Sequence, residues 1–270
     1  MIRRPVVAGQ FYPASKKALE DEVRGLLRAA GKRTDAVGAL SPHAGYPYSG
    51  PVAGKAIGAM QPKQHYVILG PNHTGMGARF ALDAADSWRT PLGEVSIDKD
   101  LARRILKECG DIEEDHEAHA GEHSIEVQIP FLQCLDHDFS FVPIVVSYDD
   151  VERYTAIGRQ IAQAIRSSGC SGDVAVIASS DMTHYEPQET AKEKDAAAIE
   201  AILALDEDRL DRTVRARTIS MCGCAPACIM LACAKELGAR TARLVDYRTS
   251  GDAIGDYTSV VGYAGVLVCR

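Results

Sequence analysis

Long apolar runs are missing from this 270-residue chain. No window approaches ~18 uninterrupted apolar residues, so no membrane-spanning helix is expected. Arg3 and Arg4 lead into Pro5 and not into an apolar stretch of signal-peptide length, so the expected compartment is the cytoplasm. A basic cluster is missing too. Thirty Lys and Arg face 37 Asp and Glu for a net charge of −7, which argues against a nucleic-acid partner. Linkers, low-complexity tracts and internal repeats are absent, so residues 1–270 are expected to form a single domain. Without a secretion signal, the eight cysteines read as reduced thiols, most of them small buried apolar groups.

What is present is an alternation of strand-length apolar runs with helical patterns. Strands are expected at 36–42, 65–71, 139–147, 173–181, 242–250 and 259–269. Helices are expected at 15–30, 51–60, 98–108, 124–135 with a kink at Pro130, 151–168, one or two in 187–216, and 222–237. Nearly continuous apolar strands between helices predict a doubly wound α/β fold, its mostly parallel central sheet covered by helices on both faces. Ligands of such sheets sit at the carboxyl ends of the strands.

Polar, turn-forming segments follow three of those strands: "SPHAGYPYSG", "GPNHTG" and "SSDMTHYEP". Each carries a histidine, His43, His73 or His184, and imidazole serves both as metal ligand and as acid/base near neutral pH. Asp181 shares a turn with His184. It reads as the group that orients that histidine, or as a helix N-cap. In "HEAHAGEHSIE", His116 and His119 read as members of a solvated acidic loop. Glu122 and His123 read equally as helix-capping residues or as groups pointing into the cleft.

"TISMCGCAPACIM" packs Cys222, Cys224 and Cys228 into seven residues, with Cys233 close behind. The C-x-C-x-x-x-C spacing has no second pair and no nearby histidine, so it matches neither a zinc knuckle nor an iron–sulfur run. A helix over 222–237 puts Cys222 at its N-terminal end, where a thiolate is favoured. Cys224 and Cys228 would share one face as packing residues. The pattern favours one special thiol over a cluster, and spacing alone does not say which.

Taken together, "RRPVVAGQFYP", "SPHAGYPYSGPVAGKA", "LGPNHTG", "GEHSIEVQIPFLQ", "SSDMTHY" and "SMCGCAPA" resemble the Memo-like protein family over essentially the whole chain. The resemblance implies a fold like that of class III (LigB-type) extradiol dioxygenases, which hold non-haem Fe(II) with two histidines and a carboxylate. It implies a metal trio of His43, His73 and Cys222, the cysteine standing where the dioxygenases have another ligand. It also implies cleft roles for Asp181 and for His184, the latter at the acid/base position. Family members have been described as binding iron or copper. Animal members have been described as binding phosphotyrosine peptides, and microbial members occur beside AMMECR1-domain and radical-SAM proteins. This chain has "CGCAP" where the animal pattern is "CGRHP", which weakens the phosphopeptide implication.

The expectation is therefore an Fe(II)- or copper-dependent redox enzyme of unknown substrate. His43, His73 and Cys222 are its ligands; His184, Asp181 and His123 are its candidate catalytic residues. A peptide- or protein-binding module using the same cleft and a zinc hydrolase are the alternatives.

Overall fold

The computed structural model describes residues 1–83, 85–136 and 138–270. Six long strands, β1 (Ala36–Ser41), β2 (His65–Pro71), β3 (Ser140–Val146), β4 (Val174–Ser179), β5 (Thr241–Thr249) and β6 (Val260–Cys269), form most of a nine-stranded sheet. The spatial order β6-β1-β4-β2-β3 is parallel from β1 through β3. The flanks are antiparallel. β6 pairs with β1, β5 pairs with β6, and the short strand Phe80–Leu82 pairs with β3. A separate three-stranded sheet joins Ile2–Arg3 to the hairpin Ser87–Thr90/Gly93–Ser96.

Both faces of the large sheet are covered, and residue alternation shows it. Val67 and Leu69 enter one core with Val174, Val176 and Ala178; Tyr66 and Ile68 enter the other with Ala175 and Ile177. On the first face lie α3 (Lys99–Glu108), α5 (Val151–Ser168), α6 (Gln188–Leu203), α7 (Glu207–Ala216) and α8 (Cys224–Glu236). On the second lie α1 (Lys16–Leu27), α2 (Tyr46–Gly58) and α4 (Ile129–Leu135). A strand buried on both sides has no polar face, which is why these runs read as continuously apolar.

Several elements differ from expectation for local reasons. α2 starts at Tyr46, because Pro47 occupies the first turn, where its missing N–H leaves nothing unpaired. Residues 124–135 are not one kinked helix: a 3₁₀ turn at Glu126–Gln128 precedes α4, and Pro130 again sits in a first turn. The expected solvated loop at His116 and His119 is packed. His119 is 0% exposed, with Nε2 2.9 Å from the carbonyl of Ala81 and its ring edge-on to Trp88. His116 Nδ1 lies 2.8 Å from Asp83, the buried carboxylate that also accepts the Trp88 indole N–H. The hairpin carrying Trp88 covers this stretch, and composition alone did not disclose that cover.

Helices α5 and α8 cross at Gly158, where a β-carbon would stand 2.5 Å from the Ile229 carbonyl oxygen and 2.7 Å from Ala232 Cβ. Gly158→Ala is expected to destabilise the protein by about 1–3 kcal/mol through overpacking, read as a lower urea midpoint at unchanged slope. An unchanged midpoint would mean that the crossing can open without cost.

Candidate metal centre

Because β4 lies between β1 and β2, the three parallel strands end side by side. The residues that follow them, His43 after β1, His73 after β2 and Asp181 after β4, converge on one cleft of about 330 Å³. Gln10, Phe11, Tyr48, His123, His184, Tyr185 and Val261 complete its walls. Cys222 enters from the segment ahead of α8. Gly223 makes that approach feasible: a β-carbon there would fall 2.4 Å from the Ser179 carbonyl oxygen and from Ser180 Cβ.

His43, His73 and Cys222 each offer a ligand atom, all lying within 4.8 Å of one another. Cys222 Sγ is 3.3 Å from His43 Nε2 and accepts the Asp181 backbone N–H at 3.3 Å. The thiol sits two residues before α8, outside its first turn, and it is half-buried. Burial, followed by the charge of Asp181, pushes its pKa up, opposite to the thiolate expected from a helix N-terminus. Without a metal, Cys222 is a thiol. Cys224 and Cys228 lie in the core, as expected of packing residues.

The hydrogen-bond partners set the tautomer of each histidine. Ser179 Oγ donates its single proton to the carbonyl of Ser124 at 2.6 Å. It must therefore accept from Gln128 Nε2 at 2.8 Å and from His43 Nδ1–H at 3.0 Å. His73 Nδ1–H donates to Glu122 Oε1 at 3.0 Å. His184 Nδ1–H donates to the carbonyl of Ser220 at 2.9 Å. In all three rings Nε2 keeps the lone pair that a metal or a proton needs. Burial, and then the neighbouring imidazoles, lowers the pKa of His43 well below the usual range, so its ring is neutral. For His73, burial pulls the pKa down, but the Glu122 carboxylate outweighs it and the net shift is upward.

Glu122 is inside the site as a support. Its Oε1 also accepts the backbone N–H groups of His123 and Ser124 at 2.8 Å each, and Oε2 accepts that of His73 at 2.6 Å. Burial alone would raise its pKa, yet His73 and the Ser124 N–H hold it well below the ordinary carboxylate range. Glu122 Oε1 is committed to three donors, and Glu122, His73 and His123 form a second group whose ligand atoms lie within reach of one another. His123 faces the cleft, stacked on His73 at 4.9 Å and edge-on to Phe11 at 4.8 Å. Asp181 does not orient His184; Ser220 does. Asp181 Oδ1 instead accepts the backbone N–H groups of His43 at 2.8 Å and Ala44 at 3.3 Å, and so fixes the loop that carries the first ligand. Ser179, Ser220 and Gln128 are the supports that residue-type reasoning missed, and Glu122, which read equally as a cap or a cleft residue, is a support behind His73. Their one visible trace was adjacency, Ser179 beside Asp181 and Ser220 beside Cys222 in the chain.

A helix-covered, mostly parallel sheet with two imidazoles and a thiol at its carboxyl edge defines an α/β protein with a candidate metal-binding cleft. Comparison with known proteins is specific. The family model described as Memo-like protein matches residues 3–267. A MEMO1 family protein of Methanococcus maripaludis is 43% identical over 99% of this chain and 100% of its own length. One of Methanococcoides burtonii is 44% identical over 99% and 100%, and one of Methanopyrus kandleri 40% over 100% of both. The chain belongs to the Memo-like family. The crystal structure of an uncharacterized protein of Escherichia coli K12, 13% identical, matches 85% of this chain and 98% of that one with a TM-score of 0.56, so the two share a fold.

Ser179→Ala removes the acceptor that keeps the His43 proton on Nδ1. The variant is expected to stay folded and to bind metal about 10- to 100-fold more weakly, measured by competition with a chromophoric chelator. Equal affinity would show that Ser179 does not set the His43 tautomer.

Proposed function

We propose that this cleft holds Fe(II) or copper on His43 Nε2, His73 Nε2 and Cys222 Sγ, and that the protein is a non-haem redox enzyme acting on a small molecule. The observation that carries the reading is the convergence of two imidazole nitrogens and a thiol, all within 4.8 Å of one another, beside the cleft that His43 and His73 line. The donor chemistry fits the group: a thiolate beside two imidazoles suits a soft, redox-active ion better than Mg²⁺ or Ca²⁺, which prefer oxygen. When bound, such a metal supplies electron transfer and polarises a ligand coordinated beside the trio.

The chain's own residues supply the rest. His184, its Nδ1 proton committed to Ser220, presents Nε2 as the atom that takes a proton from a bound ligand and returns it. Asp181 holds the His43 loop and, through its backbone N–H, the Cys222 sulfur. His123 backs the His73 ring, and Glu122 keeps the His73 proton on the side away from the cleft.

Elemental analysis of protein purified anaerobically without a histidine tag tests the reading. About one iron or copper per chain is expected, falling below about a tenth in His43→Ala, His73→Ala and Cys222→Ser, with Cys224→Ala and Cys228→Ala unchanged. Negligible metal, or metal indifferent to all three ligand changes, would falsify it. Zinc alone would move the reading to a hydrolase.

Metal uptake must also displace protons. Cys222 is a thiol in the free protein, so binding at neutral pH is expected to release about one proton per metal. Calorimetry in two buffers of different ionisation enthalpy reads this directly. Because Cys222 must shed its proton, and Glu122 shifts the His73 titration upward so that protons compete for its Nε2, affinity should fall as pH drops from about 8 to about 6. Affinity flat across that interval would contradict the assigned ligands.

A further inference from the structure

β5 closes one side of the large sheet. It pairs with β6 and, among the described residues, with no other strand. α6 lies over β5 and β6, and at the sheet's rim the two elements leave a groove of about 350 Å³ between them. Lys192, Ala196, Ile199, Glu200, Leu244 and Tyr247 line it. Leu244 is 41% exposed on the edge strand, and Ala196 stands open on the helix. Single exposed apolar residues are ordinary, but here they share one depression with the half-buried ring of Tyr247.

The charges at this groove follow an order. Lys192, Ala196 and Glu200 are spaced by four and so fall on one side of α6, about 6 Å apart along its axis. All three are exposed. A cation stands one turn before the alanine and a carboxylate one turn after it. Within the chain Lys192 meets Glu189 at 3.5 Å and Glu200 meets Arg209 at 3.1 Å. Both pairs are open to water and worth little, so neither holds its charge back from another contact.

Cation, alanine, carboxylate is an order complementary to its own reverse. Turning a copy by 180° about an axis beside Ala196 lays two α6 helices antiparallel. Lys192 then faces Glu200 of the second copy at one end, and Glu200 faces Lys192 of the second copy at the other. Contacts across a two-fold axis require that reciprocity. The small side chain at the centre lets the helices approach, and the groove beside it takes the apolar flank of the second copy.

We propose that this face joins two copies of the chain into a two-fold dimer, built on an antiparallel pair of α6 helices with Leu244 of each copy packed at its centre. The surface shares no residue with the metal cleft, so the proposal is independent of the metal reading.

Sedimentation equilibrium of the untagged full chain tests it. An interface built on one helix and a strand flank is small, so dimer is expected to form over about 1–200 µM. Lys192→Glu opposes carboxylates at both ends of the helix pair and is expected to weaken the dimer at least about tenfold. Glu200→Lys, which opposes cations, should do the same. The double exchange Lys192→Glu/Glu200→Lys restores the order and is expected within about threefold of wild type. Ala196→Arg should abolish the dimer. These positions are exposed, so each variant should melt as wild type does, and lost association is not lost fold. A wild type that stays monomeric throughout that range overturns the proposal. So does a dimer indifferent to Ala196→Arg, or one that the double exchange weakens as much as the single changes do.

Discussion

The arrangement of the site depends on a buried ion pair between the two ends of its scaffold. Arg3 and Glu126 meet with side chains that are almost wholly excluded from water. Glu126 also accepts the N–H groups of Val6 at 2.9 Å and Val7 at 3.1 Å and the hydroxyl of Tyr12 at 2.5 Å. Arg3 lies over the Trp88 ring at 4.2 Å and donates to the carbonyls of His119 and Glu122. Neither charge is tolerable alone in such a place; removing one partner of a buried pair costs about 3–5 kcal/mol. Residues 3–12 are thereby tied to the segment 119–126, and Glu122 within it holds His73. Phe11, on the same N-terminal segment, is brought against His123.

The cleft uses one device three times. A histidine donates its Nδ1 proton to an acceptor behind it and turns Nε2 to the cavity: Ser179 behind His43, Glu122 behind His73, the Ser220 carbonyl behind His184. The acceptors differ in chemistry, and the difference sorts the rings. A hydroxyl behind the fully buried His43 leaves it neutral, whereas a carboxylate behind His73 raises its affinity for a proton. The thiol is treated differently again. It has a backbone N–H pointing at its sulfur, while burial and the Asp181 charge oppose its ionisation, so its ionised form awaits a metal.

How much of this was legible follows from what kind of signal each part leaves. β2 and β4 were readable because burial on both faces demands apolar residues at every position. His43 and His73 stood out because polar groups after apolar strands are conspicuous. Glu122 was ambiguous because a carboxylate ahead of a helical segment looks the same whether it caps or supports. Its role was decided by His73, 49 residues away in the chain. The short strands Ile2–Arg3, Phe80–Leu82 and His184–Glu186 left no periodicity to read, since two or three residues contain no repeat. His119 looked solvated among acids, and its cover comes from a hairpin around Trp88.

By itself the sequence determined the α/β class, the two-sided burial of the sheet and, through its ordered motifs, the family, because these are properties of local pattern and of residue identity. Tertiary structure alone decided the rest: that β4 lies between β1 and β2, that Ser179 backs His43, and that Ser220 rather than Asp181 orients His184. Strand order and hydrogen-bond partnership are long-range. They come from which surfaces must be buried together and which donors need acceptors there, and no stretch of neighbouring residues records that.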